Sequence, residues 1–202
     1  MNKPNYNYDK RRFETFIDAI IAIILTILVL ELRIPESEHT ENADTKHQLV
    51  KLLPSFVSYF GSFLLIVGVW IDHNILFLNL QKLTKRYILL NFFFILFLSF
   101  VPFTTAFAGN NYKDSFAVAL LFTNYFAMNI TFASLYWHAI RKKIIQEQFI
   151  LENKKTAAYS VFGILVILLA IPLAYFSTYL SFALGIIIFT GHLFKRSNQY
   201  LK

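Results

Sequence analysis

Apolar and polar positions along this chain are sorted into long blocks. Nearly continuous apolar runs cover about 15–34, 53–78, 87–108, 115–139, 157–176 and 179–194, with short polar stretches between them. A helix that crosses a bilayer needs roughly 20 mostly apolar residues. The runs are unbroken and do not alternate, which selects helices over barrel strands. The pattern therefore predicts an all-α polytopic membrane protein, with six transmembrane helices in a single domain over residues 1–202. The sixth run is the shortest. The first dozen residues are polar and basic, and no small-residue cleavage site follows the first run, so it reads as a retained span.

Composition agrees with that pattern. Hydrophobic residues make up 56% and charged residues 15%, and the mean hydropathy is +0.52. A soluble domain is about 45–50% apolar and about 25% charged. The absence of cysteine excludes disulfides, thiol catalysis, iron–sulfur clusters and cysteine-based zinc sites. The net charge of +7 has to be placed relative to the membrane before it is read as a nucleic-acid footprint. With both termini cytoplasmic, the inside segments hold Lys3, Lys10, Arg11 and Arg12; Lys82, Lys85 and Arg86; Arg141, Lys142, Lys143, Lys154 and Lys155; and Lys195, Arg196 and Lys202. Only Arg33, Lys46, Lys51 and Lys113 fall outside. The basic excess is thus a positive-inside signal with an even number of spans, and no nucleic-acid partner is expected. The outer segment after the first run carries Glu31, Glu36, Glu38, Glu41 and Asp44. It reads either as a cation-attracting vestibule or as a merely soluble loop.

Ionisable groups inside a bilayer cost about 2.5–3.5 kcal/mol each on insertion scales, so those that persist have partners or functions. Asp18 lies early in the first run, Asp72 and His73 late in the second, Asn91 early in the third and His138 at the end of the fourth. The up-and-down order puts Asp18, His73, Asn91 and His138 at similar depth near the cytoplasmic face. We expect Asp18 to be held by His73, Asn91 and Arg12, as interhelical glue or as part of a proton path. Asp72 and His138 are expected to snorkel independently.

The apolar stretch of the first run contains one hydroxyl, Thr26. At 3.6 residues per turn, Ala19, Ile23, Thr26, Leu30 and Arg33 form one stripe, and Asp18, Ala22, Leu25 and Val29 form a neighbouring one. From periodicity alone, Thr26 reads as a residue that bonds a backbone carbonyl and faces a packed core.

The stretch RRFETFIDAIIAIILTILVLELRIP resembles the first-helix motif of the transmembrane protein 175 family. The matching positions are Arg12, Phe16, Asp18, Ala22, Thr26, Leu30, Glu31 and Pro35. The family's serine is absent, because Ile17 stands in its place. The second run (SYFGSFLLIVGVWIDHN, with Trp70 and His73) and the third (NFFFILFLSFVPFTTAF, with Asn91, Pro102, Phe103 and Thr104) are similar as well. The resemblance implies a potassium-selective channel in the cell membrane. It implies a homotetramer of six-helix subunits, with the first helix lining the pore and no TVGYG filter.

On that basis Ile23 and Leu30 are expected to form apolar constriction rings and Thr26 a hydroxyl ring between them, with potassium as the permeant ion passing near Thr26. Arg12, Asp18, His73 and Asn91 would lock the helix in rotation. The alternative is a proton channel or proton-coupled transporter using Asp18 and His73. The inverted repeats of a transporter are not seen, and no histidine pair has the spacing of a metalloenzyme. Neither an enzymatic activity nor a cofactor or bound metal is expected.

Overall fold

The computed structural model describes residues 9–32, 45–152 and 154–187, and these are helical apart from turns and one antiparallel backbone bridge. In chain order the helices are α1 (Lys10–Leu30), α2 (Thr45–Lys51), α3 (Leu53–Leu78), α4 (Lys85–Ser99), α5 (Val101–Asn110), α6 (Ser115–Arg141), α7 (Glu147–Glu152), α8 (Lys154–Leu173) and α9 (Thr178–Ile187). Among the described residues, four stretches are long and apolar enough to cross a membrane: α1, α3, α4 continued by α5, and α6. They coincide with the first four apolar runs. The fifth run becomes α8, whose apolar part is Val161–Leu173, and α9 covers the start of the sixth. Residues 188–194 of that run lie outside the described residues, as do Arg33, Pro35, Glu36, Glu38, Glu41 and Asp44 of the acidic segment.

Helix ends follow side-chain chemistry. The Asp9 carboxylate accepts from the backbone N–H groups of Arg11 and Arg12 and starts α1. Thr84 caps α4 through the Tyr87 N–H, and Asp114 caps α6 through Phe116 and Ala117. Proline explains the two breaks that the apolar pattern does not show. Pro54 lies in the first turn of α3 and Pro102 in the first turn of α5. A proline there has no N–H to lose, but its ring prevents the preceding helix from running straight through. The segment read as loop up to residue 48 accordingly ends in a short helix, α2. A second short helix, α7, lies between the fourth and fifth runs, where Phe149 and Ile150 pack against the core.

Helix α6 is the hub of the bundle and packs against α4, α5 and α8, while α3 lies along α5. Helix α1 sits on the rim against α3, α4 and α5. It buries only Ile17, Ile21, Ile24 and Leu28, a stripe of spacing four, three and four. Ile17, the position of the missing serine, is fully buried, so its methyl groups pack where a hydroxyl would need a partner.

Helices α3 and α5 meet through small residues. Ser55, Ser58 and Ser62 are buried on one side of α3. A Cβ placed on Gly109 of α5 would stand 2.9 Å from the Ser55 Cα, so only glycine allows this approach.

At one end of the bundle, hydrogen bonds tie three segments together. The α3–α4 connection pairs with the turn after α6 through Gln81 N to Ile144 O (2.8 Å) and Gln146 N to Asn79 O (3.1 Å). Lys10 at the start of α1 donates its ammonium to Leu80 O at 2.7 Å. The turn after α6 is a Schellman closure, with Ile144 N bonded to Ala139 O and Lys143 N to Ile140 O. Lys143 occupies the left-handed position of that turn, with φ of 52°.

Candidate functional site

The two faces of α1 have different surroundings. Nine residues, two and a half turns, separate buried Ile17 from Thr26, which puts them on opposite sides of the helix. Ala19, Ile23, Thr26 and Leu30 all lie on the exposed side, with Ile23 56% and Leu30 70% accessible. The packed-core expectation for Thr26 is therefore corrected: none of the described residues covers its stripe. The hydroxyl does bond the backbone, donating to Ile23 O at 2.7 Å. With its hydrogen so engaged, the Thr26 oxygen presents lone pairs to whatever faces this stripe.

The polar residues of the inner layer form two separate contacts in place of one network. Trp70 of α3 donates its indole N–H to Asp18 Oδ1 at 3.0 Å, on the rim of the bundle. His73 bonds Asn91 Oδ1 through Nε2 at 2.9 Å, in the interior. Trp70 and His73 are three residues apart, so they leave α3 about 60° apart. One side chain meets α1 and the other points between α4 and α6. The His73 ring stacks against Phe77 (4.6 Å) and Phe94 (5.6 Å), and Asn91 donates its other bond to Tyr87 O. Asp18 is thus held by Trp70, and not by His73 or Asn91. Arg12 gives its backbone N–H to the Asp9 cap and forms no bond with Asp18. The independent reading of His138 is corrected too: it is buried and shares a 3.3 Å hydrogen bond with Thr84. Asp72 is half-buried.

Removing the Asn91 amide should destabilise the bundle. In Asn91→Leu the buried His73 nitrogen loses its partner, a loss of about 1–3 kcal/mol. The check is thermal unfolding in detergent, with Asn91→Gln as the partial rescue; an unchanged midpoint would show that water satisfies His73.

A further buried cluster carries no charge and escaped the sequence reading. Ser62 of α3 shares hydrogen bonds with Thr105 of α5 at 2.7 Å and with the Tyr125 hydroxyl of α6. Asn124 adds a bond to Thr104 at 3.4 Å. The signal that could have found it is the i, i+3, i+7 spacing of Ser55, Ser58 and Ser62. Its depth can be counted from the Asp18–Trp70 bond. Thr26 is eight residues beyond Asp18 on α1, and Ser62 is eight residues before Trp70 on the antiparallel α3. Each is about 12 Å further along. The hydroxyl cluster and Thr26 therefore share one level.

Residues 12–102, which carry Asp18, Thr26, Ser62, Trp70, His73 and Asn91, match the family model described as the endosomal/lysosomal potassium channel TMEM175. Over these residues the chain is similar to the TMEM175 family. The TMEM175 segment holds all of α3 and α4 and the exposed stripe of α1. A potassium channel of Chamaesiphon minutus is 29% identical over 131 residues, 63% of this chain and 64% of its own length. The human endosomal/lysosomal proton channel TMEM175 is 36% identical over 111 residues, 49% of this chain and 22% of its own length. The chain thus spans less than two thirds of the curated relatives it matches. Beyond the matched segment the likeness is one of fold. The crystal structure of a lysosomal potassium-selective channel TMEM175 homolog from Chamaesiphon minutus superposes with a TM-score of 0.83. It covers 92% of this chain and 97% of that one, at 24% identity.

Proposed function

We propose that this chain is a subunit of a potassium-selective cation channel, in which the exposed stripe of α1 lines the pore. The observation that carries this reading is the uncovered row Ala19, Ile23, Thr26 and Leu30, apolar except for one hydroxyl and opposite the stripe that anchors α1. Such a row meets either lipid or copies of itself. Lipid has no use for an oxygen with free lone pairs, whereas four symmetric copies around an axis would turn it into a ring. The names of the TMEM175 relatives support conduction of potassium, and the likeness to that family supports a channel in place of an enzyme.

In this homotetramer of six-helix subunits, Ile23 and Leu30 form apolar rings that gate by dewetting, and the Thr26 oxygens lie between them. Potassium holds its hydration shell less tightly than sodium, so it crosses such a constriction at lower cost. The Asp18–Trp70 bond and the Ile17–Leu28 stripe fix the rotation of α1, and so the pore radius. The His73–Asn91 pair stiffens the wall behind it. The protein lies in the cell membrane with both termini cytoplasmic and needs no cofactor or resident metal; monovalent cations are its ligands.

The proton reading draws on the vertebrate relatives, which are named proton channels. In this chain Asp18 and His73 bond to different partners, so a proton route through both requires water between them.

The test is the reversal potential of the reconstituted protein with potassium on one side and sodium on the other. A shift toward the potassium equilibrium value supports the channel. Collapse of a pH gradient without cation current would transfer the function to protons. Within the channel reading, Thr26→Ala should lower the potassium-to-sodium permeability ratio while conduction persists. The expected loss is about fivefold to tenfold, the effect of about 1–1.4 kcal/mol at the barrier. An unchanged ratio would remove Thr26 from the selective ring.

A further inference from the structure

The basic end of the bundle is more than a topology signal. The backbone pairing of the α3–α4 connection with the turn after α6 brings Lys82, Lys85 and Arg86 beside Arg141, Lys142 and Lys143. All six are exposed, and none forms an ion pair with a described carboxylate. Asp9, a carboxylate at this end, is committed to the cap of α1. Arg86 lies two residues past Thr84 at the start of α4 and Lys142 one turn past His138 at the end of α6, so the two helices bring both cations to one junction. His138 and Thr84 are bonded to each other beneath them.

Beside this spot stands Trp137, 57% exposed, with the Arg141 guanidinium over its ring at 5.1 Å. An exposed tryptophan at the end of a spanning helix sits at headgroup level in a bilayer. The ring holds the planar fork of Arg141 at that level, where it matches two phosphate oxygens. Lys143 is carried by the Schellman turn, and its left-handed backbone directs the chain out of the helix there. The surface is thus unpaired, cationic, built from two helices and a tied turn, and level with lipid phosphates.

We propose that the junction of α4 and α6, formed by Arg86, Lys142 and the Arg141–Trp137 pair, is a binding site for the phosphate of an anionic phospholipid. The site stands apart from the α1 stripe and does not depend on what the pore conducts. A lipid seated there clamps the two tied connections and neutralises like charges that otherwise repel across the junction.

The test is native mass spectrometry of the purified full chain offered phosphatidylglycerol or phosphatidylcholine. The wild type should retain phosphatidylglycerol preferentially. Arg86→Gln with Lys142→Gln should lower that retention about tenfold or more, since each cation near an anionic surface is worth about fivefold. Lys51→Gln with Lys113→Gln removes the same charge at the opposite end and should leave retention unchanged. If the inner double variant fails to fold, Arg141→Gln serves in its place, with about fivefold loss expected. Equal retention of the two lipids, or equal loss in inner and outer variants, would overturn the site. Displacement of the lipid by millimolar inorganic phosphate would likewise overturn it, by showing a free-anion site.

Discussion

Replacing Ile23 with asparagine is expected to raise potassium conductance about tenfold, the effect of a barrier lower by about 1.4 kcal/mol. Ile23 is exposed on α1, on the side opposite the anchoring stripe. Four such side chains around an axis would make a ring with nothing to offer a hydrated ion, so the constriction dries and the ion meets a desolvation barrier. An amide in each position supplies oxygens and lets water remain. The fold of the subunit should be unaffected, because Ile23 makes no part of the buried stripe. Single-channel or liposome-flux recordings read the result. A conductance equal to that of the wild type would place the constriction elsewhere, and Leu30→Asn is then the next position. Loss of the proposed tetramer without a rise in current would assign the α1 stripe to packing alone.

The second large effect concerns the fold. Gly109→Val should destabilise the bundle by about 1–3 kcal/mol from overpacking alone. The new Cβ would stand 2.9 Å from the Ser55 Cα, a backbone atom that moves only if α3 and α5 separate. Separation strains the bond between Ser55 and Asn110 and the hydroxyl cluster of Ser62, Thr105 and Tyr125 one to two turns away. Each buried hydroxyl left without a partner adds about 1–3 kcal/mol. The measurement is the unfolding midpoint in detergent together with the yield of intact oligomer. Gly61→Ala is the matched control. Its Cβ meets nothing within 4 Å, so the midpoint should hold or rise slightly, as for a mid-helix glycine replaced by alanine. Equal behaviour of the two variants would show that α3 and α5 are free to part, contrary to the small-residue packing seen here.

Four of the apolar runs were legible as spans because their signal is local: twenty apolar residues in a row need no partner to be recognised. The caps at Asp9, Thr84 and Asp114 are equally local. The prolines were visible but their consequence was not, since whether Pro54 or Pro102 kinks, ends or merely enters a helix depends on what its neighbours pack against. The candidate site divided in the same way. Asp18, His73 and Asn91 stood out because polar groups are expensive inside a bilayer, and their common depth followed from helix order. Depth alone does not say which of them touch. The rotation of α3 sends Trp70 to Asp18 and His73 to Asn91, and that rotation is set by the packing of α3 along α5.

The sequence by itself determined that this is an all-helical membrane protein, where its first four spans lie, which residues carry polar groups into them, and the TMEM175 motif of its first helix. These rest on composition, on period and on order along the chain. Only the tertiary structure decided which side of α1 is anchored and which is exposed, that Thr26 lies on the exposed side with its hydroxyl bonded to Ile23 O, that serines and a glycine join α3 to α5, and that two connections bring the start of α4 beside the end of α6. Each of these is a matter of rotation or of contact between distant segments, and a helical period fixes spacing along an axis but leaves the angle about it to the neighbours.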